Sequence, residues 1–287
     1  MAEEDVAPDP DAWAGARVDR WVAMADRLDR QMAPITELLI AATGLRPGDR
    51  VLDIGCGTGP IARRAAEIVG PPGSVTGVDV AADMVAAALD ATPEVEGSAP
   101  VRYVEADATT WTSADLFDVV ISRFGVMFFD DPAAAFANLA VLTRPAGRLS
   151  VVVWDRRDRS DLFEVPLAAA VAVLTDAGLE PDIMPVAGGP FSLNDPDAVT
   201  ALLEGAGWRD VRVVHHDVEM LVGGGTDPAA AAEDAFGVGP TRKATEGIEG
   251  ALRVEVRDAI EAALAERVDA DGQVVLGGRV LVVTAAR

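Results

Sequence analysis

The sequence predicts an α/β protein built on a doubly wound, mostly parallel sheet of seven strands. Three observations predict it. Strand-like and helix-like runs alternate at short intervals over residues 50–153, the rhythm of βαβ units. The first strand runs straight into three glycines at alternate positions, VLDIGCGTG at 51–59, where something must approach the backbone closely. Two late strands follow without a crossover helix of the earlier rhythm, which places an antiparallel edge on the parallel sheet.

The elements follow in order. Residues 1–10 carry acids and two prolines and read as a disordered tail. From 11 to 44 an apolar stripe of Trp21, Met24, Leu28, Met32, Ile35 and Leu39 recurs at three- and four-residue steps, which predicts N-terminal helices. Pro34 should split them in two. The main domain is expected over 45–287. RVLDIG, SVTGVDV, VRYVEAD, FDVVISRF and RLSVVVWD read as strands, and IARRAAEIV, ADMVAAALDA and PAAAFANLAVLT as helices. Helical cap insertions are expected at about 156–195 and 227–268, the second broken by GVGP. NDPDAVTALLEGAG opens with an Asx cap and a first-turn proline. WRDVRVVHHDVEML and GRVLVVTAAR close the sheet.

Composition narrows the partners. A net charge of −23, with Lys243 the single lysine, leaves no basic stripe to neutralise a nucleic-acid backbone. Anionic membrane surfaces are disfavoured for the same reason, and no apolar run is long enough to span a membrane. A small neutral or cationic ligand suits the charge, although acidity also serves solubility. The acidic N-terminus is the opposite of a signal peptide, so a cytoplasmic protein is expected. One cysteine, Cys56, and two adjacent histidines, His215 and His216, predict no metal site. Nothing in the sequence sets an oligomeric state.

Three carboxylates line up behind the glycines. Asp53 precedes Gly55 by two residues, Asp79 ends the second strand and Asp107 closes the third. Strand ends facing one way line a crevice, and a carboxylate after the second strand can grip both ribose hydroxyls. A dinucleotide site calls for G-x-G-x-x-G, but here Gly55, Gly57 and Gly59 are followed by Pro60. No P-loop lysine follows, and Asp53 would repel phosphate. These features suit an adenosine ligand that carries positive charge where a nucleotide carries phosphate.

With these motifs the chain resembles the class I S-adenosylmethionine-dependent methyltransferases, in particular small-molecule enzymes of the quinone-biosynthesis type. VLDIGCGTG, GVDVAADMV, VEADATTW, FDVVISRFGVMFF and LTRPAGRLSVVVW match the family's motifs in order. The resemblance implies a Rossmann-like sheet and S-adenosyl-L-methionine as methyl donor, with S-adenosyl-L-homocysteine as product. It also implies that Gly55, Cys56, Gly57 and Gly59 wrap the methionine part and that Asp53 holds its ammonium. Asp79 would bind the ribose, Val80 and Met84 would flank the adenine, and Asp107 and the Ala108 N–H would meet its edge. Ser122, Arg123 and Phe124 would lie near the sulfonium and the acceptor. The family's Pro-Gly-Gly turn is here Pro145-Ala146-Gly147, and special backbone geometry is expected only at Gly147.

The acceptor side is read more loosely. Trp13 and Trp21 either pack an N-terminal helix on the core or form a lid. Phe124, Met127, Phe128 and Phe129 are either core or the wall of an apolar acceptor pocket. His216, and behind it His215, are the candidate bases because they titrate near neutral pH; Asp155 and Arg123 are weaker candidates. The expected activity is methyl transfer to a small, apolar biosynthetic acceptor by in-line displacement. A cofactor-binding scaffold and an NAD-linked oxidoreductase are the competing readings.

Overall fold

The computed structural model describes residues 15–237 and 239–287. The expected tail at 1–10 and the assignment of Trp13 lie outside them. Seven strands form one sheet in the order β3-β2-β1-β4-β5-β7-β6. They are β1 (Arg50–Ile54), β2 (Ser74–Asp79), β3 (Val101–Glu105), β4 (Phe117–Arg123), β5 (Thr143–Trp154), β6 (Arg209–Leu221) and β7 (Val275–Ala286). β1 to β5 are mutually parallel, and β7 runs antiparallel to both β5 and β6. The reversed strand therefore stands one place in from the edge, with β6 outermost. The chain order reverses between β1 and β4, so a crevice opens there at the carboxyl ends.

The central strands are apolar on both faces, as a sheet covered on both sides requires: Val51, Leu52, Val119, Val120, Ile121, Val152 and Val153 are fully buried. One face carries α3 (Ala33–Thr43), α4 (Pro60–Val69) and α5 (Ala82–Asp90); Ser150 Oγ donates to the Ala42 carbonyl there. The other face carries α6 (Pro132–Leu142) and α8 (Pro196–Gly205), tied by Trp208 Nε1–H to the Phe136 carbonyl at 3.0 Å. An Asp-Pro pair starts three helices: Asp131, Asp195 and Asp227 each accept from backbone N–H groups one turn on. The proline that follows lacks the N–H that would go unpaired.

The N-terminal segment forms three helices rather than two: α1 (Ala16–Ala23), α2 (Ala25–Gln31) and α3. The breaks fall at Met24 and Met32, both near φ −90° and ψ 0°. Pro34 is accommodated in the first turn of α3. The two expected insertions meet in the structure: α7 (Asp161–Asp176) packs with α10 (Gly239–Ala244) and α11 (Gly250–Ala265), and α11 packs in turn with α9 (Pro228–Ala235). Ala170, Leu174, Ala232, Val256, Ile260 and Leu264 give this layer a core of its own.

The turn before β5 departs from expectation. Ala146, not Gly147, takes positive φ, at 64°. Gly147 is required for space instead: a Cβ there would lie 2.5 Å from Thr143 Cγ2 and 2.9 Å from the Arg144 carbonyl oxygen.

Candidate functional site

The glycine loop turns through left-handed backbone at each of its three glycines: Gly55 at φ 62°, Gly57 at 53° and Gly59 at 81°. Their surroundings differ. A Cβ on Gly55 would stand 2.6 Å from Gly125 Cα, so its close neighbour is the backbone after β4. A Cβ on Gly59 would overlap the Tyr103 phenol, whereas one on Gly57 would meet open space. Gly57 is thus the one of the three with open space beside its Cα.

Asp53, Asp79 and Arg123 share one sheet face. Asp53 is level with Gly77 on β2 and Ile121 on β4, and Asp79 and Arg123 each lie two residues further toward the carboxyl ends. Asp53 is 1% exposed, and its Oδ2 has no hydrogen-bond partner among the described residues. Burial pushes its carboxyl up to about 8, with Asp79 adding to the rise and Arg123 and the Ala62 N–H opposing it. Asp79 accepts from the Gly57 N–H at 2.8 Å and the Ala81 N–H at 3.0 Å; burial raises it despite those bonds. Burial also pushes the Cys56 thiol up, with both aspartates adding to the rise, so Cys56 is no ready thiolate.

Arg123 reaches away from the sheet to the N-terminal helices. Its Nη1 donates to Asp29 Oδ1 at 3.0 Å and to Thr36 Oγ1 at 2.7 Å. Above α5, Val18 of α1 closes over Ala81 and Met84, with Trp21 packed against the same cluster. Trp21 therefore seats α1 on α5, directly after Asp79 and Val80. Val80 remains 58% exposed, unlike Met84.

Other expected site residues fall differently. Ser122 is fully buried and spends its hydroxyl on the Ile54 carbonyl at 2.7 Å, while accepting from the Gly125 N–H. It ties the β1 and β4 turns together and does not face the crevice. Asp107 is exposed and caps its own turn by accepting from the Thr109 N–H at 2.7 Å; Ala108 beside it is buried.

Phe124 occupies left-handed backbone at φ 69°. Its ring stacks on Trp154 at 4.4 Å, Trp154 meets Phe163 edge-on, and Phe163 meets Phe191 edge-on. Met127 is buried, with its sulfur accepting from the Trp154 N–H. Phe129 packs edge-on against Phe136 of α6, and Phe124, Phe128 and Phe129 are all partly buried against the main core.

The histidines do not join this cluster. Both stand on β6, three strand spacings or roughly 14 Å from β4. His215 lies on the face opposite Arg123 and pairs through Nδ1 with Asp155 Oδ2 at 3.1 Å. His216 is on the same face and in the same row as Trp154, with Val280 between them. The structure also brings in residues the sequence reading passed over: Asp29, Thr36, Tyr103 and Gly125. Asp29 and Thr36 lie 94 and 87 positions from Arg123 in the chain, too far for any local pattern to connect them.

A seven-stranded sheet with one reversed strand, a glycine turn after β1 and a carboxylate at the end of β2 define a Rossmann-like fold of the methyltransferase kind. Comparison with known proteins agrees. Residues 51–147 match the family model described as a methyltransferase domain. Nocamycin O-methyltransferase of Saccharothrix syringae is 34% identical over 198 residues, covering 65% of this chain and 69% of that protein. A ubiquinone/menaquinone biosynthesis C-methyltransferase of Ectopseudomonas mendocina is 33% identical over 183 residues, covering 63% and 65%. Among solved structures, the YcgJ protein of Bacillus subtilis superposes with a TM-score of 0.53 at 17% identity, over 88% of this chain and 97% of that one. Phosphoethanolamine N-methyltransferase 2 of Haemonchus contortus, solved with S-adenosyl-L-methionine, gives 0.50 at 18%, over 88% and 52%. These two share the fold. The chain belongs to the class I S-adenosylmethionine-dependent methyltransferases, which sets aside the NAD-linked reading. No helix among the described residues is long and apolar enough to cross a membrane.

Proposed function

We propose that this methyltransferase acts on a small, apolar acceptor and transfers the methyl group by in-line displacement. The observation that carries the reading is the aromatic cluster of Phe124, Trp154, Phe163 and Phe191, packed on the same sheet face as Asp53 and Arg123. A bulky residue in left-handed backbone costs about 1–2 kcal/mol. Such strain persists where packing over-determines it, and it concentrates at functional sites. The Phe124 strain puts an aromatic face, not a glycine gap, at the carboxyl end of β4. The relatives' names, an O-methyltransferase and a quinone-biosynthesis C-methyltransferase, support an acceptor of this kind and leave oxygen and carbon both open.

The cofactor side fits a cationic adenosine ligand. The orphaned Asp53 Oδ2 suits an ammonium, because an unpaired buried acceptor is costly until a donor reaches it. The Gly57 backbone offers close approach, and Asp79 lies where a ribose grip is needed. When bound, S-adenosylmethionine supplies the electrophilic methyl group. We assign Gly55, Cys56 and Gly59 to shaping the loop, Val80, Met84, Asp107 and Ala108 to the adenine side, and Trp21 to the lid. Met127 backs the acceptor wall. Of the histidines, His216 shares the cofactor face, and it is the candidate base for an acceptor that arrives protonated. His215, held by buried Asp155, fastens the sheet edge.

The test is transfer of label from methyl-labelled S-adenosylmethionine to a panel of phenols, quinones and apolar amines. Label is expected in an apolar member, and Phe124→Ala should raise the acceptor KM while S-adenosylhomocysteine binds as before. Transfer confined to highly charged acceptors, or none to any apolar one, would sink the proposal.

A further inference from the structure

Arg157 is a buried cation to which the chemistry described so far gives no role. It stands in the short turn after β5 and is 8% exposed. A charge so far out of water is costly unless it is paired and hydrogen-bonded. Its bonds run to two separate pieces of chain. Nη1 donates to the Met184 carbonyl at 2.6 Å, and the Arg157 backbone N–H donates to the Val186 carbonyl at 3.1 Å. Nε faces Glu164 Oε1, in the first turn of α7, at 2.8 Å. One residue therefore joins the segment at 184–186 to the start of α7.

Both pieces carry a ring of the aromatic cluster. Phe163 precedes Glu164 in α7, and Phe191 follows shortly after Val186. The segment between has little else to hold it. Residues 179–187 belong to no helix or strand, and Pro181, Pro185 and Pro190 lack the N–H that a backbone bond needs. Lys243 of α10 reaches Asp182 at 3.1 Å, but partly exposed pairs of this kind contribute little. The bond from Arg157 Nη1 is charge-assisted and less exposed, so it is the stronger tie. Beyond Val186 the chain turns at once: the Phe191 N–H donates to the Gly188 carbonyl and the Ser192 N–H to the Gly189 carbonyl, each at 3.0 Å. Ser192 Oγ fixes the far end of that turn to the Met127 carbonyl. The anchor at Met184 fixes the near end, and between them Phe191 is 1% exposed and meets Phe163 edge-on at 5.2 Å.

We infer that Arg157 is a positioning residue for acceptor recognition: by tying residues 184–186 to α7 it holds Phe191 against Phe163. This rests on the apolar-acceptor reading and deepens it by naming what fixes the shape of the aromatic cluster. Recognition by ring faces and edges depends on their mutual arrangement. Loosening one ring should therefore weaken acceptor binding and spare the chemical step.

The test uses Arg157→Met, which removes the guanidinium and keeps an apolar stem, and Arg157→Lys, which keeps a charged donor. Hydrogen exchange needs no acceptor: in Arg157→Met the Phe191 and Ser192 amides should exchange at least about tenfold faster, since local opening follows local contacts. S-adenosylhomocysteine should bind by calorimetry as it does to wild type, which also reports that the variant is folded. In the labelled-methyl assay, with the apolar phenol, quinone or amine that wild type accepts best, the acceptor KM should rise about fivefold or more while kcat stays within about twofold. Arg157→Lys should recover part of both effects. Should Arg157→Met fail to bind S-adenosylhomocysteine, Arg157→Lys carries the test alone, with a smaller change in the same two readouts expected. Unchanged exchange at Phe191 and Ser192 overturns the inference. So does a fall in kcat with KM unchanged, or a lysine variant that recovers nothing, which would mark the loss as one of packing. Transfer to no apolar acceptor by wild type overturns instead the acceptor reading, while hydrogen exchange still decides whether Arg157 holds Phe191.

Discussion

Asp53 combines complete burial, an oxygen without a partner and a carboxyl pushed up to about 8. Folding favours its protonated form, so its contribution to stability is fully present below the ordinary carboxylate range near pH 4. That contribution is lost as pH rises toward 8. The ligand-free protein should therefore lose stability across pH 4–8, and Asp53→Asn should flatten that part of the profile in denaturant titrations. Pairing with an ammonium reverses the preference, so S-adenosylhomocysteine binding at pH 7 should release a proton. Calorimetry in buffers of different ionisation enthalpy reads that release directly; no buffer dependence would contradict the ammonium contact. Gly55 poses a steric question at the same scale. Gly55→Ala combines left-handed strain with a Cβ 2.6 Å from Gly125 Cα, and should cost about 2–5 kcal/mol in equilibrium unfolding.

At the scale of elements, the strands and the helices between them were legible because each carries its own periodicity. β1 to β5 lie where the apolar runs place them, and α8 starts on the Asp195 cap that the sequence announces. Turn geometry was less legible. Pro145-Ala146-Gly147 reads as a turn whose glycine supplies the unusual dihedral, yet Ala146 supplies it and Gly147 yields room to Thr143. A glycine satisfies either demand, and only the path of the neighbouring chain distinguishes them. Ala146→Gly should remove about 1–2 kcal/mol of strain and return about 0.5–1 kcal/mol in chain entropy. A small net gain in denaturant midpoint is the expected result. A loss would show that the Ala146 methyl group contributes packing that outweighs its strain. The extra break at Met24 escaped notice for a related reason: the apolar stripe runs through Met24 and Met32 without any proline or glycine to interrupt it.

Across the whole molecule, α2 joins parts that are far apart in the chain. Asp29 meets Arg123 of the sheet, Gln31 accepts from the Gly223 N–H at 2.7 Å, and Arg27 pairs with Asp234 of α9 in the cap. The end of β4, the turn at Gly223 and the α9 layer are thus all tied to one helix. Arg27→Ala should leave global stability within about 1 kcal/mol, as partly exposed ion pairs usually do. It should nevertheless speed hydrogen exchange in α1 and α2, since local opening follows local contacts. Unchanged exchange there would mean that Gln31 and Asp29 hold the helix by themselves.

The sequence by itself determined the fold class, the glycine turn after β1 and the acids at the strand ends, because strand periodicity, left-handed glycines and strand-end acids are local properties written in a few consecutive residues. It also singled out Phe124 and Arg123 at the end of the fourth strand. Tertiary structure alone decided what each touches. It turned the Ser122 hydroxyl inward to Ile54 and set the histidines three strands away from β4. It also joined Arg123 to Asp29 across 94 positions of chain. These outcomes depend on which strands become neighbours and on which helix closes over them. They follow from packing over long sequence separations, which no pattern of spacing along the chain records.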